Sequence, residues 1–300
     1  MDELRFDGRV AVVTGAGRGM GRCHALLLAE RGARVVVADY GVATDGTGAS
    51  DLPADEVVKE IDANGGEAVA AYASVADPDG AASIIETALD AFGGLDIVVN
   101  NAGISDPGAF EDLTLDQFRR MVDVHYFGTL HIAKAAWPHL RERGYGRIVN
   151  VTSESLLGIL PKLTSYGGAK GGVLALTRNL AVEGPEHGIV VNGLMPRAET
   201  RMTDAKTMSL VLGVDEEMLA FAMPTLPPAE VSPVMAFLAH ERCPLNGEVL
   251  ATGAGQVQRL AIYESVGITR EDLTPEDVLA NLDAIMDLTD AQLIAVPAPT

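Results

Sequence analysis

Cysteine is nearly absent: Cys23 and Cys243 are the only two in 300 residues. Neither sits in a metal-ligand spacing. They read as inert thiols of a reducing compartment, and no metal site is assigned. Cations are also scarce, with 22 Lys and Arg against 42 Asp and Glu and a net charge of -20. Phosphate backbones and anionic membranes are bound by clustered Lys and Arg, so nucleic-acid and membrane partners are excluded. No apolar run approaches the roughly 18 residues needed to span a bilayer. The opening "MDELRFDG" is acidic and lacks the apolar stretch of a secretory signal, and the closing "VPAPT" is no peroxisomal address. A cytoplasmic location is the expectation. Neither an internal repeat nor a low-complexity linker appears.

What is present is alternation. The short apolar runs "VAVVT", "RVVVAD", "AVAAY", "LDIVVN", "GRIVNV", "IVVNGL" and "EVLAT" are separated by longer helical stretches. Most runs are continuously apolar, as in strands buried on both faces. The intervening "GRCHALLLAERG", "PADEVVKEIDANGG" and "AASIIETALDAFGG" end in glycine, a common helix stop. This order predicts an α/β, doubly wound Rossmann fold, with about seven parallel strands and helices on both faces. Residues 40–55, rich in Gly, Asp and Thr, read as a surface loop. One NAD-binding and catalytic domain is expected over 1–260. A C-terminal extension over 261–300 carries one helix in "TPEDVLANLDAIMD", which opens on a threonine cap and a proline. The last residues, "IAVPAPT", are expected to be loose.

"VAVVTGAGRGMGRCHALLL" reads as strand, glycine turn and helix. Such a turn lets the backbone approach a pyrophosphate, and the helix behind it offers free N–H groups and the positive end of its dipole. Met20 stands where the third glycine of the usual dinucleotide spacing belongs. The spacing that fits is Gly15, Gly19 and Gly21 after Thr14. The next strand ends at Asp39, where a carboxylate can accept hydrogen bonds from the adenosine ribose and repel the extra phosphate of NADP. Its alternative role is to cap a turn. Arg18 could pair with a phosphate and weighs the other way. NAD is the expected cofactor.

"SYGGAK" places Tyr166 and Lys170 one helical turn apart. At that spacing the two can simply line one helix face. Beside a nicotinamide cofactor they acquire chemistry. A phenol with a pKa near 10 is a poor base at neutral pH, and a neighbouring ammonium favours phenolate. Tyr166 then serves as general base in oxidation and general acid in reduction. The small residues between the pair leave room for the cofactor to lie against the helix.

Taken in order, the glycine loop after Thr14, "NNAG" at 100–103, "VNVTSES" and Tyr-x-x-x-Lys resemble the short-chain dehydrogenase/reductase family over roughly residues 6 to 255. The resemblance implies that Ser153, with Ser155 as alternative, holds the substrate oxygen and stabilises developing charge. It places Asn101, Ala102 and Gly103 against the adenosine and ribose side of the cofactor. Lys170 would also hold the nicotinamide ribose.

Departures from the family pattern are informative. In "VHYFG", His125 takes the place of an asparagine that supports a proton-relaying water; histidine can also donate and accept, or it can be a buried helix residue without a catalytic role. "MPRAET" replaces the proline-glycine after the sixth strand, so Pro196, Arg197 and Glu199 enter a nicotinamide loop, with Thr200 a carboxamide contact. "ASVAD" brings Ser74 or Val75 to the adenine. These features together resemble the (3R)-hydroxyacyl-CoA dehydrogenase unit of peroxisomal multifunctional β-oxidation proteins and its stand-alone bacterial relatives. That implies a 3-hydroxyacyl-CoA, sterol-derived in some members, as substrate, lipid metabolism as setting, and a homodimer or homotetramer. "MTDAKTMSLVLGVDEEMLAFAM" would lid the substrate, with Met202, Met208, Met218 and Met223 giving a greasy pocket or ordinary core. A polyanionic coenzyme A needs a local basic patch, for which Arg197, Arg201, Lys206 and Lys162 are the candidates. A steroid or other neutral secondary alcohol avoids that need. A dinucleotide-binding protein without catalysis is the reading of a different class, and intact Ser153, Tyr166 and Lys170 speak against it.

Overall fold

The structure is a computed structural model and describes residues 2–222 and 226–296. Strands β1 (Val10–Thr14), β2 (Arg34–Ala38) and β3 (Glu67–Ala71) alternate with helices α1 (Gly19–Glu30), α2 (Leu52–Ala63) and α3 (Pro78–Phe92). Then come β4 (Ile97–Asn100), α4 (Leu115–Val122), α5 (Gly128–Arg143), β5 (Gly146–Val151), α6 (Thr164–Glu183) and β6 (Ile189–Pro196). The remainder holds α7 (Ala205–Leu212), α8 (Glu216–Ala222), α9 (Ser232–Ala239), β7 (Val249–Gly253) and β8 (Gln256–Leu260). β9 (Tyr263–Glu264), α10 (Pro275–Ala280), α11 (Leu282–Met286) and β10 (Gln292–Leu293) make up the C-terminal extension.

The main sheet runs β3-β2-β1-β4-β5-β6-β7-β8. All its neighbours are parallel except β8, which returns antiparallel along β7. The strand order reverses between β1 and β4, where open α/β sheets hold their ligands beyond the carboxyl ends of the strands.

Continuous apolar strands are explained by the layers. Ala11, Val13, Val35, Val37, Ile97 and Val99 face one cluster with Leu28 of α1, Val57 and Ile61 of α2, and Leu238 of α9. Val10, Val12, Val36 and Val98 face the other, with Ile84 and Ile85 of α3, Ile132 and Leu140 of α5, and Ala181 of α6. Alternate residues of one strand thus enter opposite cores, and neither face tolerates polarity.

Eight strands occur where about seven were expected. The additional β8, "QVQRL", is almost wholly exposed and follows a two-residue turn at Ala254 and Gly255, both at positive φ. That is hairpin geometry, but an exposed strand lacks the apolar run that marked the others. The predicted single C-terminal helix is two short ones: α10 starts on the reciprocal Thr274–Asp277 capping box with Pro275 first, and Asn281 interrupts before α11. A two-residue ladder between β9 and β10 was not foreseen.

Candidate active site

The glycine turn is built by the approach of two loops. Gly15 has a φ of +62°, and a Cβ there would stand 2.8 Å from the Ala102 Cα. Thr14 knits the turn to "NNAG": its hydroxyl accepts from the N–H groups of Asn101 and Ala102, both at 3.1 Å. The Asn101 side-chain amide donates to the Thr14 carbonyl at 3.0 Å and to the Gly15 carbonyl at 3.2 Å. Thr14 and Asn101 are therefore scaffolding for the turn. Helix α1 begins behind it without a side-chain cap or an acidic residue in its first turn, which leaves its N–H groups open to an anion.

Asp39 closes the floor. One carboxylate oxygen accepts the Gly17 N–H at 2.7 Å and the other the Gly41 N–H at 2.7 Å. Its turn-capping role is thus realised. Gly17 was not singled out from the sequence, although a Cβ there would come within 2.8 Å of the Asp39 carboxylate.

A cleft of about 500 Å³ opens over this floor, within the range of small-molecule sites. Gly15, Arg18, Gly19, Met20, Gly21, Asp39, Ser74, Val75, Asn101, Ala102, Gly103 and Thr200 line it, as expected. Ser74 and Val75 both reach it, so neither alternative is excluded. Thr14 lies beneath the lining, and Pro196 ends β6 without reaching the cleft. Tyr40, Val42, Ala43 and Gly46 are an added wall. Residues 40–55 had been read as a surface loop, and their want of periodicity hid that packing. The open α1 terminus, the Gly19 face and the Asp39 carboxylate suit a dinucleotide in charge and shape.

Beside the cleft, α6 carries Tyr166 and Lys170. The Lys170 ammonium is buried, donates to the Val151 carbonyl at 2.6 Å and lies 5.8 Å from the centre of the Tyr166 ring. Burial lowers its pKa to about 7. Tyr166 keeps some surface open, but the atoms packed around its hydroxyl push the phenol up to about 12, with Ser153 acting in the opposite direction. The expectation that Lys170 lowers the phenol is not met in the protein by itself: desolvation dominates, and the group that acts the other way is Ser153 rather than Lys170.

Ser153 heads a short 3-10 turn, its hydroxyl accepting from the Ser155 N–H at 3.2 Å. Ser155 is buried and its own hydroxyl has no protein partner, so the open position belongs to Ser153. The small residues of "SYGGAK" differ in what they meet. A Cβ on Gly167 would stand 2.6 Å from the Ser155 carbonyl, whereas one on Gly168 would meet nothing within 4 Å. Gly167 admits the serine turn, and open space lies beside Gly168.

His125 lies in a π-helical segment, Asp123–Phe127, between α4 and α5. The wider turn rotates its ring inward, edge-on to Tyr166 with centroids 4.9 Å apart. Nε2 lies 2.8 Å from the Ile104 carbonyl and 3.2 Å from the Ile104 N–H, so the Ile104 backbone can partner it in either neutral tautomer. Burial, then the Lys170 charge, holds its pKa well below the usual imidazole value, so the ring is neutral. Nδ1 is buried without a protein partner.

One polar chain escaped the sequence reading. Asn100 of β4 donates to Asn150 of β5 at 2.9 Å, and Asn150 donates to Thr177 of α6 at 3.0 Å. It ties the catalytic helix to the sheet, and no spacing rule announces it. Of the four basic candidates for coenzyme A, Arg197 is held by Glu154 at 2.6 Å and by Gln258 at 2.8 Å, and Lys162 donates to the Leu210 carbonyl at 2.7 Å. Arg201 lines the cleft and Lys206 is exposed. Two of the four are thus already engaged within the protein. The lid segment is helical as α7 and α8, with Met218 exposed and Met202 on the cleft wall; Met223 lies outside the described residues. No helix among the described residues is long and apolar enough to cross a membrane.

A family model described as short chain dehydrogenase matches residues 9–209. A short-chain type dehydrogenase/reductase of Mycobacterium tuberculosis is 46% identical over 288 residues, covering 95% of this chain and 96% of that one. Peroxisomal multifunctional enzyme type 2 of Mus musculus is 40% identical over 294 residues; 96% of this chain is covered, but only 38% of the mouse protein. A solved 7α-hydroxysteroid dehydrogenase, complexed with NADH and 7-oxo glycochenodeoxycholic acid, superposes with a TM-score of 0.74 at 30% identity, covering 86% of this chain and 99% of that one. With the glycine turn lining the cleft and Ser153 and Lys170 gathered at Tyr166, the chain belongs to the short-chain dehydrogenase/reductase family of oxidoreductases.

Proposed function

We propose that this protein interconverts a secondary alcohol and a ketone with NAD, and that its substrate is a 3-hydroxyacyl-CoA. The observation that carries the reaction is the convergence of Ser153, Tyr166 and Lys170 beside a cleft whose floor is the Asp39 carboxylate. A bound nicotinamide dinucleotide supplies hydride exchange with the carbinol carbon. Ser153 donates a hydrogen bond to the substrate oxygen and orients it. Tyr166, as phenolate, takes the hydroxyl proton while the carbinol hydrogen leaves as hydride and the carbon–oxygen double bond forms. Lys170, when protonated, stabilises the phenolate and returns the proton toward solvent. The neutral His125 offers Nδ1 to that relay in place of the family's asparagine. Thr200, with Ser74 or Val75, completes the proposed cofactor contacts, and Pro196 serves only to set the course of the chain toward Thr200.

The thioester substrate is supported by likeness to the mouse protein, of which this chain spans little more than a third. The engagement of Arg197 and Lys162 favours a second reading, a steroid or other neutral alcohol, because a polyanionic carrier meets few uncommitted cations there. A panel of 3-hydroxyacyl-CoA thioesters, hydroxysteroids and simple secondary alcohols, followed at 340 nm with each dinucleotide, tests the choice. Turnover greatest with thioesters is expected. Thioesters inert beside active steroids would select the second reading, and silence across the panel with normal dinucleotide binding would make the protein a binder only.

A homodimer or homotetramer is also part of the proposal, supported by the exposed apolar Leu115 and Phe127 beside α4. Sedimentation giving a monomer at micromolar concentration would remove it. The two free cysteines support a cytoplasmic, reducing setting.

A further inference from the structure

Four arginines line the cleft, and they divide into two kinds. Arg119 is paired with Asp116 at 2.6 Å and Arg120 with Asp106 at 2.9 Å. Arg18 and Arg201, among the described residues, meet no carboxylate within salt-bridge distance, although they share the cleft with Asp39. Asp39 cannot serve both: its two oxygens already accept the Gly17 and Gly41 N–H groups. Arg18 stands on the glycine loop at the start of α1, and Arg201 follows Thr200 in the segment before α7; both are exposed. The two segments are close, since a Cβ on Gly19 would lie 3.9 Å from the Thr200 methyl. Desolvation, then the charge of Arg18, lowers the pKa of the Arg201 guanidinium. Two neighbouring like charges are stabilised by an anion between them.

We propose that Arg201 closes on the diphosphate of the bound dinucleotide together with Arg18 and the α1 N-terminus. The inference rests on the reading that the cleft takes a dinucleotide. A guanidinium fork matches two phosphate oxygens at once, and its hydrogen bonds are charge-assisted. Arg201 also opens the segment that leads into α7, so occupancy of the diphosphate site draws the lid segment toward the cofactor. Neither the glycine-loop spacing nor the Tyr-Lys signature points to this residue.

Calorimetric titration of wild type, Arg201→Ala and Arg201→Lys with ADP-ribose, adenosine and NADP tests it. Arg201→Ala should weaken ADP-ribose about tenfold, the scale of a lost charge-assisted contact, and leave adenosine within about twofold. Arg201→Lys should recover part of the loss. Amide exchange over residues 201–212 should slow with ADP-ribose in wild type but not with adenosine, and not in Arg201→Ala. Wild type that fails to bind ADP-ribose sinks the dinucleotide reading itself, and this inference with it. Normal wild-type binding with unchanged ADP-ribose affinity in Arg201→Ala overturns Arg201 alone. Equal weakening of adenosine would make the residue merely structural. A loss confined to NADP would move it to the ribose 2′-phosphate, and either result overturns the diphosphate contact.

Discussion

Replacing Asp39 should change which dinucleotide the enzyme accepts, and the structure sets the scale. The carboxylate is pinned by two backbone N–H groups, each at 2.7 Å, so it cannot swing away from an incoming 2′-phosphate. Two unit charges about 4 Å apart at an effective dielectric near 20 interact by about 4 kcal/mol, and a phosphate carries between one and two charges. Arg18 and Arg201 on the same cleft offset part of that repulsion. A net discrimination of about 2–4 kcal/mol follows, roughly 30- to 900-fold in the ratio of kcat/KM for NAD over NADP. Asp39→Ala should abolish most of this ratio, largely by improving NADP. It should also lower the thermal midpoint, because the Gly17 and Gly41 N–H groups lose a charged acceptor. Asp39→Asn separates the effects: it removes the charge but keeps one acceptor oxygen, so it should relax the cofactor ratio with a smaller loss of stability. Initial rates with both dinucleotides and a melting curve for each variant decide the matter. An unchanged ratio in both variants would refute the reasoning, and discrimination would then lie elsewhere.

Tyr166→Phe should keep ADP-ribose affinity within about twofold and lose turnover by about 10²- to 10⁴-fold; retained turnover removes the phenol from the proton path. The Lys170 ammonium, pulled down to about 7 by burial, has an unfolded value near 10.4. Below pH 7 both states hold the proton and the burial penalty is complete; between about 7 and 10 only the unfolded chain holds it, so the penalty fades as pH rises. This group should therefore raise stability by up to about 1.4 kcal/mol per pH unit in that window. Urea midpoints of Lys170→Met should lack that slope, and curves parallel to wild type would contradict it. Gly167→Ala should press its Cβ on the Ser155 carbonyl and displace the serine turn. Expected is a fall in kcat of about tenfold or more with ADP-ribose affinity unchanged; an unaffected kcat would mean the turn yields without consequence.

The parallel sheet was legible because strands buried on both faces leave continuous apolar runs, and "VAVVT" and "GRIVNV" show it residue by residue. The glycine turn and the Tyr166–Lys170 pair were legible because their spacing is local: a turn, and one rise of a helix. β8 was not, since an exposed hairpin strand needs no apolar pattern. Gly17 was passed over because its requirement is the Asp39 carboxylate, 22 residues away. Residues 40–46 are loop, as their composition indicates, but their place on the cleft wall was not legible because loops pack without periodicity.

Sequence alone determined the fold class, the phosphate turn, the acidic residue after β2 and the presence of a phenol and an amine one turn apart. Tertiary structure decided what those groups are worth. It buried Lys170 until its pKa fell to about 7, kept the phenol high, turned His125 inward on a π-helical segment, and brought Arg201 to the same cleft as Arg18. Those outcomes depend on desolvation and on charges brought near from distant segments, and both arise only when the chain has closed around them.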